Sequence, residues 1–328
     1  MFKEHDTGPG HPERPQRIDA VDHGLRSHHL GDLLLPVAPR PATDAELQLV
    51  HPADYVSAIE RFAAEGGGHL DADTVVSARS AELARLGSGT LLAAVDQLAA
   101  GVGSGAFVAV RPPGHHAGAR VAMGFCLYNH VAVAAAHLVS RGERVVVVDF
   151  DAHHGNGTQD IFWEEPSVLY VSWHQSPHYP NSGRAEECGS GAALGTTLNI
   201  PLPAGATGDH YRRSIEDLVA PVVEDFGATW MLMSAGFDAH RADPLCDLSL
   251  SSGDFADITG DLLSMVPVGR AAALMEGGSD LAAIADSAAA VVAALGGTKL
   301  HPEPPTAGGP GAVFVDSAIE RRHRVLDQ

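Results

Sequence analysis

The feature that most constrains this chain is the stretch Asp149–Gly157, with the sequence DFDAHHGNG, which directly follows the four valines Val145 to Val148. A run of β-branched residues without a polar interruption predicts a strand that is buried on both faces of a sheet. Two carboxylates and two imidazoles would then leave the C-terminal end of that strand. Because buried charges are costly without a partner, we interpret them as a functional site rather than as a solvated loop.

The residues Asp149, Asp151 and His153 alternate along this stretch. In an extended strand, alternation would direct all three side chains to the same side of the sheet. Aspartate and histidine together suit a divalent transition metal, with Zn²⁺ the first choice and Fe²⁺ an alternative.

Short apolar runs followed by helical patterns recur along the chain, which predicts an α/β fold with a mostly parallel sheet between two layers of helices. The predicted strands are residues 106–110, 145–148, 168–173, 229–234 and 271–275. His115, His116 and Asp238 each follow one of these strands. Ligands bind at the C-terminal ends of the strands in such sheets, so these residues belong to the same predicted site.

The two ends of the chain have a different composition from its middle. Residues 1–17 are polar with several prolines and glycines, and we predict a surface arm in which His5 and His11 are solvated. Residues 296–312 are rich in Gly and Pro and predict a linker, followed by a short charged helix at about 316–325. We therefore predict one catalytic domain, residues 1–295, and a C-terminal segment, residues 296–328, packed on the same domain.

The composition excludes several classes of protein. The net charge of −20 over 328 residues argues against a nucleic-acid partner and favours cationic substrates such as lysine-bearing peptides or polyamines. The sequence has neither a run of eighteen apolar residues nor an N-terminal signal pattern, so we expect no membrane association. Three cysteines without a CxxC pair fit a reducing, cytoplasmic location.

Asp151, His153 and Asp238 would supply three ligands to a metal and leave one coordination position open. An open position is typical of catalytic rather than structural zinc, and it allows the ion to activate water.

The tandem imidazoles His115 and His116 are candidates for proton transfer. Each needs a partner on its far nitrogen, and Asp149 and Asn156 are the available ones. The partner Asp149 would keep its histidine more cationic than the neutral Asn156 would, which separates the roles of the two rings. The predicted chemistry is metal-assisted hydrolysis, in the simplest case of an amide.

Five segments, in order along the chain, resemble the zinc-dependent histone deacetylase family, including bacterial histone deacetylase-like amidohydrolases, acetylpolyamine amidohydrolases and acetoin-utilisation proteins. The resemblance implies the arginase–deacetylase fold, and Asn156, where many class I members have Asp, makes the chain similar to class II. The segments are RPPGHHA (111–117), GFCLYNHVAVAA (124–135), DFDAHHGNGTQDIF (149–162), SAGFDAHRADPL (234–245) and EGG (276–278).

The resemblance implies roles for individual residues. His116, backed by Asn156, would be the general base and acid, and His115, backed by Asp149, the electrostatic histidine. The metal ligands would be Asp151, His153 and Asp238. A first structural K⁺ site would involve Asp149, Asp151, His153, Ser172 and Trp173. A second would involve Phe162, Glu165 and Val168. The substrate channel would involve Gly124, Phe125, Tyr179, Leu245, Gly277 and Gly278, although ordinary loop packing explains Tyr179 about as well. Leu245 stands where polyamine-selective members have a glutamate gatekeeper.

The chain departs from the family pattern at Ser279, where the family has a tyrosine after EGG. That tyrosine donates a hydrogen bond to the acyl oxygen, and losing such a donor typically costs roughly 10²–10³ in rate. A water held by Ser279 or an activated acyl group would compensate, or the serine is an engineered substitution that traps substrate. Alternatively, the chain is a non-catalytic protein that binds zinc and an acyl ligand.

The leading hypothesis is a zinc-dependent amidohydrolase that deacylates an N-acylated amine such as acetyl-lysine, with reduced or altered activity caused by Ser279. The alternatives are the non-catalytic binder, an acetylpolyamine deacetylase and, least favoured, an arginase-like binuclear manganese enzyme. Assembly into a homo-oligomer stays open.

Overall fold

The computed structural model describes residues 1–326 and shows a three-layer α/β protein, so the predicted fold class is confirmed. A short antiparallel pair precedes a six-stranded parallel sheet with the strand order β3-β8-β7-β4-β5-β6. The strands are β1 (Gly68–His69), β2 (Val75–Val76), β3 (Ala106–Val108), β4 (Val145–Asp149), β5 (Val168–Gln175), β6 (Thr197–Leu202), β7 (Trp230–Ala235) and β8 (Ala271–Met275).

Helices cover both faces of the sheet. A π-helical stretch, Ile215–Val219, joins α7 and α8, and no described helix is long and apolar enough to cross a membrane. The helices are α1 (Gln16–Ser27), α2 (Asp44–Leu47), α3 (Ala53–Ala64), α4 (Ser80–Ala99), α5 (His130–Val139), α6 (Asn156–Ile161), α7 (Gly208–Ser214), α8 (Ala220–Phe226), α9 (Ser252–Leu263), α10 (Leu281–Leu295) and α11 (Ala312–Leu326).

Strand β4 lies inside the sheet and its side chains enter two separate cores. Val146 and Val148 pack on the side of α7 to α10, whereas Val145 and Val147 pack on the side of α3 to α5. All four valines are fully buried, as the uninterrupted β-branched run predicts. This strand therefore delivers Asp149 and the residues after it to the centre of the sheet edge.

The sequence did not reveal every element. Strand β6 was missed because the run contains Pro201, which cannot donate a hydrogen bond to a sheet. The structure places β6 at the edge of the sheet, where proline is tolerated. The helical region 208–226 and helix α10 were also missed, although the alanine-rich sequence of α10 favours a helix.

The predicted surface arm at residues 1–17 is wrong. His5 and Glu13 are fully buried, and the Glu13 carboxylate pairs with the guanidinium groups of Arg17 and Arg111. Buried charges require such partners, and a count of polar residues cannot show them.

The C-terminal segment contacts the catalytic domain at several points. Glu303 accepts a hydrogen bond from His240, and α11 packs beside β6. The domain boundary at residue 295 stays a prediction. The last two residues of the C-terminal segment, 327 and 328, lie outside the described part of the chain.

Candidate active site

The side chains of Asp151, His153 and Asp238 meet at the C-terminal ends of the neighbouring strands β4 and β7. One ligand atom from each lies within 4.8 Å of the other two. The Nδ1 atom of His153 is 2.9 Å from Oδ2 of Asp238 and 3.2 Å from Oδ1 of Asp151. The three-residue ligand set that the sequence predicts is therefore brought together.

The predicted reason for this convergence is wrong in one respect. Strand β4 ends at Asp149, and residues 151–153 form a bend rather than a continued strand. The bend brings Asp151 and His153 to Asp238, whereas the carboxylate of Asp149 contacts a different partner.

The cluster fits a divalent cation. Burial, together with the neighbouring Asp151 carboxylate, raises the pKa of Asp238 to about 6, so a cation between the two acids would remove an electrostatic repulsion. The backbone N–H of Gly277 donates to Asp151, and that of Ala152 donates to Asp238, each at 2.7 Å. A Cβ atom at Gly277 would lie 2.2 Å from Oδ2 of Asp238, so only glycine leaves this space open. Two carboxylates and one imidazole are a ligand set that zinc accepts.

His115 lies against Asp149, with 3.0 Å between Nδ1 and the carboxylate oxygen Oδ2. The hydroxyl of Tyr170 donates to the same oxygen at 3.1 Å. Burial favours the neutral ring, but the carboxylates of Asp151 and Asp149 outweigh it and raise the pKa of His115 to about 10. In the metal-free site these carboxylates therefore favour the imidazolium form of the ring.

His116 lies against Asn156, with 2.8 Å between Nδ1 and the amide oxygen Oδ1. The amide nitrogen of Asn156 points to the sulfur of Met123, so the oxygen faces the ring and accepts from Nδ1–H. Burial, together with the charge on His115, holds the pKa of His116 well below its ordinary value. The neutral ring therefore presents an unprotonated Nε2, which is the form a general base requires.

Glu276 positions the two histidines, a role that sequence reasoning missed although it noted the EGG segment. Its carboxylate accepts hydrogen bonds from the backbone N–H groups of Gly114 at 2.6 Å and His115 at 3.1 Å. Burial raises the pKa of Glu276 to about 7. The residue connects the end of β8 to the loop that carries His115 and His116.

A cavity of about 260 Å³ opens over these groups. The ring of Tyr179 stands 5.2 Å from that of His116, and the side chain of Leu245 is 37% exposed. The residues predicted to contact substrate all line this one cavity: Gly124, Phe125, Tyr179, Leu245, Gly277 and Gly278.

Sequence reasoning missed five residues that also line the cavity. The guanidinium of Arg17 donates to the carbonyl oxygens of Gly278, at 2.7 Å, and of Glu276, and it thereby holds the loop after β8. The four-residue spacing of Glu13 and Arg17 was the available signal of an ion pair. The polar composition of residues 1–17 indicated a solvated arm instead. The missed lining residues are Glu13, Arg17, Asp73, Pro113 and His178.

Ser279 lines the cavity and is nearly buried. Its backbone N–H donates to a carboxylate oxygen of Asp243 at 2.5 Å. The chain therefore places a short hydroxyl side chain in the same cavity as the metal cluster, at the position where the resemblance implies a phenol.

Two of the residues predicted to bind K⁺, Asp151 and His153, also belong to the metal cluster. Asp149 and Ser172 are register partners on β4 and β5, and the indole of Trp173 donates to Ser214. The backbone carbonyl oxygens of Phe162 and Glu165 accept hydrogen bonds from the N–H groups of Glu165 and Val168. Binding of K⁺ by either set stays a prediction.

The sequence and the fold are similar to those of known proteins. The family profile described as "Histone deacetylase domain" matches residues 11–295. Histone deacetylase 15 of Arabidopsis thaliana is 37% identical over 319 residues, which cover 94% of this chain and 57% of that protein. A histone deacetylase-like amidohydrolase of Pseudomonas aeruginosa is 36% identical over 296 residues, which cover 88% of this chain and 78% of that protein.

The crystal structure of the HDA15 HD domain superposes with a TM-score of 0.90 at 34% identity, covering 98% of this chain and 91% of that chain. The superposition confirms the arginase–deacetylase fold that the resemblance implies.

Proposed function

The chain belongs to the histone deacetylase family, whose members are hydrolases that act on amides, and we propose that it removes an acyl group from an N-acylated amine. The observation that carries this proposal is that the Asp151, His153 and Asp238 cluster and the Nε2 atom of His116 face the same cavity. Acetyl-lysine is the simplest substrate of this class. The negative net charge of the chain favours the cationic protein segments in which lysine is common.

We propose Zn²⁺ as the cofactor, held by Asp151, His153 and Asp238, with Fe²⁺ as an alternative for the same ligand set. When bound, zinc would supply a Lewis acid for the acyl carbonyl and would promote deprotonation of water. We also propose the structural K⁺ sites described above, for which the adjacency of Asp149 and Ser172 is the support.

His116 would act as the base and then as the acid. Its Nδ1–H stays bonded to Asn156, so Nε2 is free to take a proton from the attacking water. The same atom then returns the proton to the leaving amine. Because the pKa of His116 is low, the ring begins the reaction in its neutral form.

His115 would stabilise charge rather than transfer protons. The carboxylate of Asp149 favours the cationic ring, which would stabilise the negative charge that develops on the acyl group. Asp149 holds the ring in place through Nδ1, so the two adjacent histidines perform different tasks.

A panel of lysine peptides carrying different acyl groups tests the proposal, with metal analysis of the same samples. We expect zinc-dependent hydrolysis that a chelator abolishes and that His116→Ala reduces by roughly 10²–10⁴-fold without loss of metal. Hydrolysis that survives chelation, or that His116→Ala leaves intact, would contradict it.

Ser279 favours a second candidate, a non-catalytic protein that binds zinc and an acyl ligand. That candidate predicts tight binding of a hydroxamate together with no hydrolysis of any acylated amine. The polyamine alternative predicts faster hydrolysis of N-acetylated polyamines than of acetyl-lysine, and Leu245 in the gatekeeper position argues against it. The cytoplasmic location and a homo-oligomeric state stay predictions.

A further inference from the structure

The loop that carries Leu245 and the loop that carries Ser279 are joined by one buried carboxylate, that of Asp243. Its Oδ1 atom accepts the backbone N–H of Leu245 at 3.0 Å. Its Oδ2 atom accepts the N–H groups of Ser279 at 2.5 Å and Asp280 at 3.1 Å. The side chain is only 5% exposed, so these charge-assisted bonds are shielded from water.

The three N–H groups belong to different parts of the fold. Leu245 follows β7 through an irregular loop, whereas Ser279 follows β8. Asp280 is the N-cap of α10, where its side chain accepts from the N–H of Ala283. Asp243 therefore connects the loop that carries Leu245 to Asp280, the N-cap residue of the long buried helix α10.

Asp243 does not line the cavity itself, whereas Leu245 and Ser279 do. Its hydrogen bonds therefore reach the cavity through these two residues. The Leu245 loop is also held from the opposite side, since the side-chain oxygen of Gln175 accepts the N–H of Asp247 at 2.7 Å. The thiol of Cys246 also donates to the carbonyl oxygen of Asp238 at 2.9 Å, and of these contacts only that of Asp243 joins the loop to Ser279.

We propose that Asp243 is a positioning residue that fixes the separation between Leu245 and Ser279 and thereby sets which acyl groups fit the cavity. This inference rests on the proposed deacylase function. A carboxylate is required because both of its oxygen atoms face N–H donors. An asparagine has one oxygen, which would stay with Ser279 and Asp280 and leave an NH₂ group opposed to the N–H of Leu245.

The test compares Asp243→Asn with Asp254→Asn. Asp254 is the matched control because it is also buried and accepts backbone N–H groups, those of Ser251 and Thr306, but does not line the cavity. Peptides carrying acetyl-, butyryl- or hexanoyl-lysine compete with a fluorescent hydroxamate on the zinc-loaded proteins. We expect Asp243→Asn to change the ratio of acetyl to hexanoyl affinity by roughly tenfold, the worth of a misplaced hydrophobic contact. The control should keep the wild-type ratio.

Equal weakening of all three peptides by Asp243→Asn, with the ratio unchanged, would overturn the inference. Hydrogen exchange adds a readout that does not depend on turnover: the amide of Leu245 should exchange faster in Asp243→Asn while those of Ser279 and Asp280 stay protected.

The unaltered protein provides a test if Asp243→Asn does not fold. One carboxylate holds all three amides, so the protection factors of Leu245, Ser279 and Asp280 should agree within about tenfold. Independent exchange of Leu245 would contradict the inference. Absence of hydrolysis of every acylated amine would refute the proposed function alone, because peptide displacement and amide exchange still report on Asp243.

Discussion

Asp151, His153 and Asp238 form one side of the cavity, which we call the metal wall, and they stand at the ends of the buried strands β4 and β7. Leu245, Gly278 and Ser279 line another part of the cavity, which we call the Ser279 wall, and they stand on loops. The side chains of the metal wall touch one another, whereas those of the Ser279 wall are positioned through backbone bonds to Asp243 and Arg17. The ends of the buried strands fix the positions of the metal ligands. The residues that contact substrate are on loops, where substitutions are tolerated more easily.

The largest effect should follow from a change in the metal wall. We expect Asp238→Ala to remove both metal binding and hydrolysis, because two ligands remain where zinc needs three from the protein. Metal analysis should show zinc falling from about one ion per chain to almost none. Retention of stoichiometric zinc by this variant would show that the ligand set is wrong.

A change in the Ser279 wall should act in the opposite direction. We expect Ser279→Tyr to raise the rate of deacylation by roughly 10²–10³, because the phenol supplies the missing donor to the acyl oxygen. Ser279→Ala serves as the control and should leave the slow rate nearly unchanged. An unchanged rate in Ser279→Tyr would indicate that Ser279 belongs to a different chemistry.

In protein freed of metal by a chelator, the stability should depend on pH through the metal wall but not through the Ser279 wall. The carboxylates of Asp151, in the metal wall, and of Asp149 outweigh burial and raise the pKa of His115 to about 10. The stabilisation that this ring contributes is therefore present below pH 6.5 and is lost as the pH rises through about 10. We expect the free energy of unfolding to fall between pH 7 and pH 10 by on the order of a few kcal/mol more in the wild type than in His115→Asn.

Denaturant unfolding at the two pH values measures this difference. Ser279→Ala should follow the wild-type curve, because Ser279 carries no titrating group. If His115→Asn loses as much stability as the wild type over this range, His115 is not held as an imidazolium.

The smallest effect should come from a charge at the cavity entrance. Leu245 is partly exposed, so Leu245→Glu would form only a screened ion pair with a cationic amine. We expect the kcat/KM ratio of N-acetylated polyamines to acetyl-lysine peptide to rise about two- to fivefold. Leu245→Gln is the control of similar shape, and an equal rise in that variant would rule out an electrostatic origin.

The metal wall was predictable from the sequence because its residues follow uninterrupted apolar strands. The valine run before Asp149 identified the central strand, and the position of Asp238 after β7 identified the third ligand. The identity of the partners behind His115 and His116 depended on the resemblance, since spacing alone left Asp149 and Asn156 open to either ring.

The support that Arg17 gives to the Ser279 wall was not predictable, because it comes from a distant segment. Arg17 precedes Gly278 by more than 250 positions and reaches its carbonyl oxygen through the packing of α1 on α10. Polar residues look alike in a sequence whether they are solvated or paired. Only the fold shows that the charges of Glu13 and Arg111 neutralise each other in the interior.

The pairing of Glu13 with Arg111 limits how this chain can vary. Loss of Glu13 would leave the guanidinium groups of Arg17 and Arg111 without their shared carboxylate in a dry interior, and loss of Arg111 would leave Glu13 with Arg17 alone. Breaking a buried ion pair typically costs about 3–5 kcal/mol, a large part of the stability of many domains. Tolerated replacements would thus arise as coordinated exchanges at both positions. The loop residues of the cavity can therefore vary one at a time. The Glu13–Arg111 ion pair requires that two segments far apart in the sequence change together.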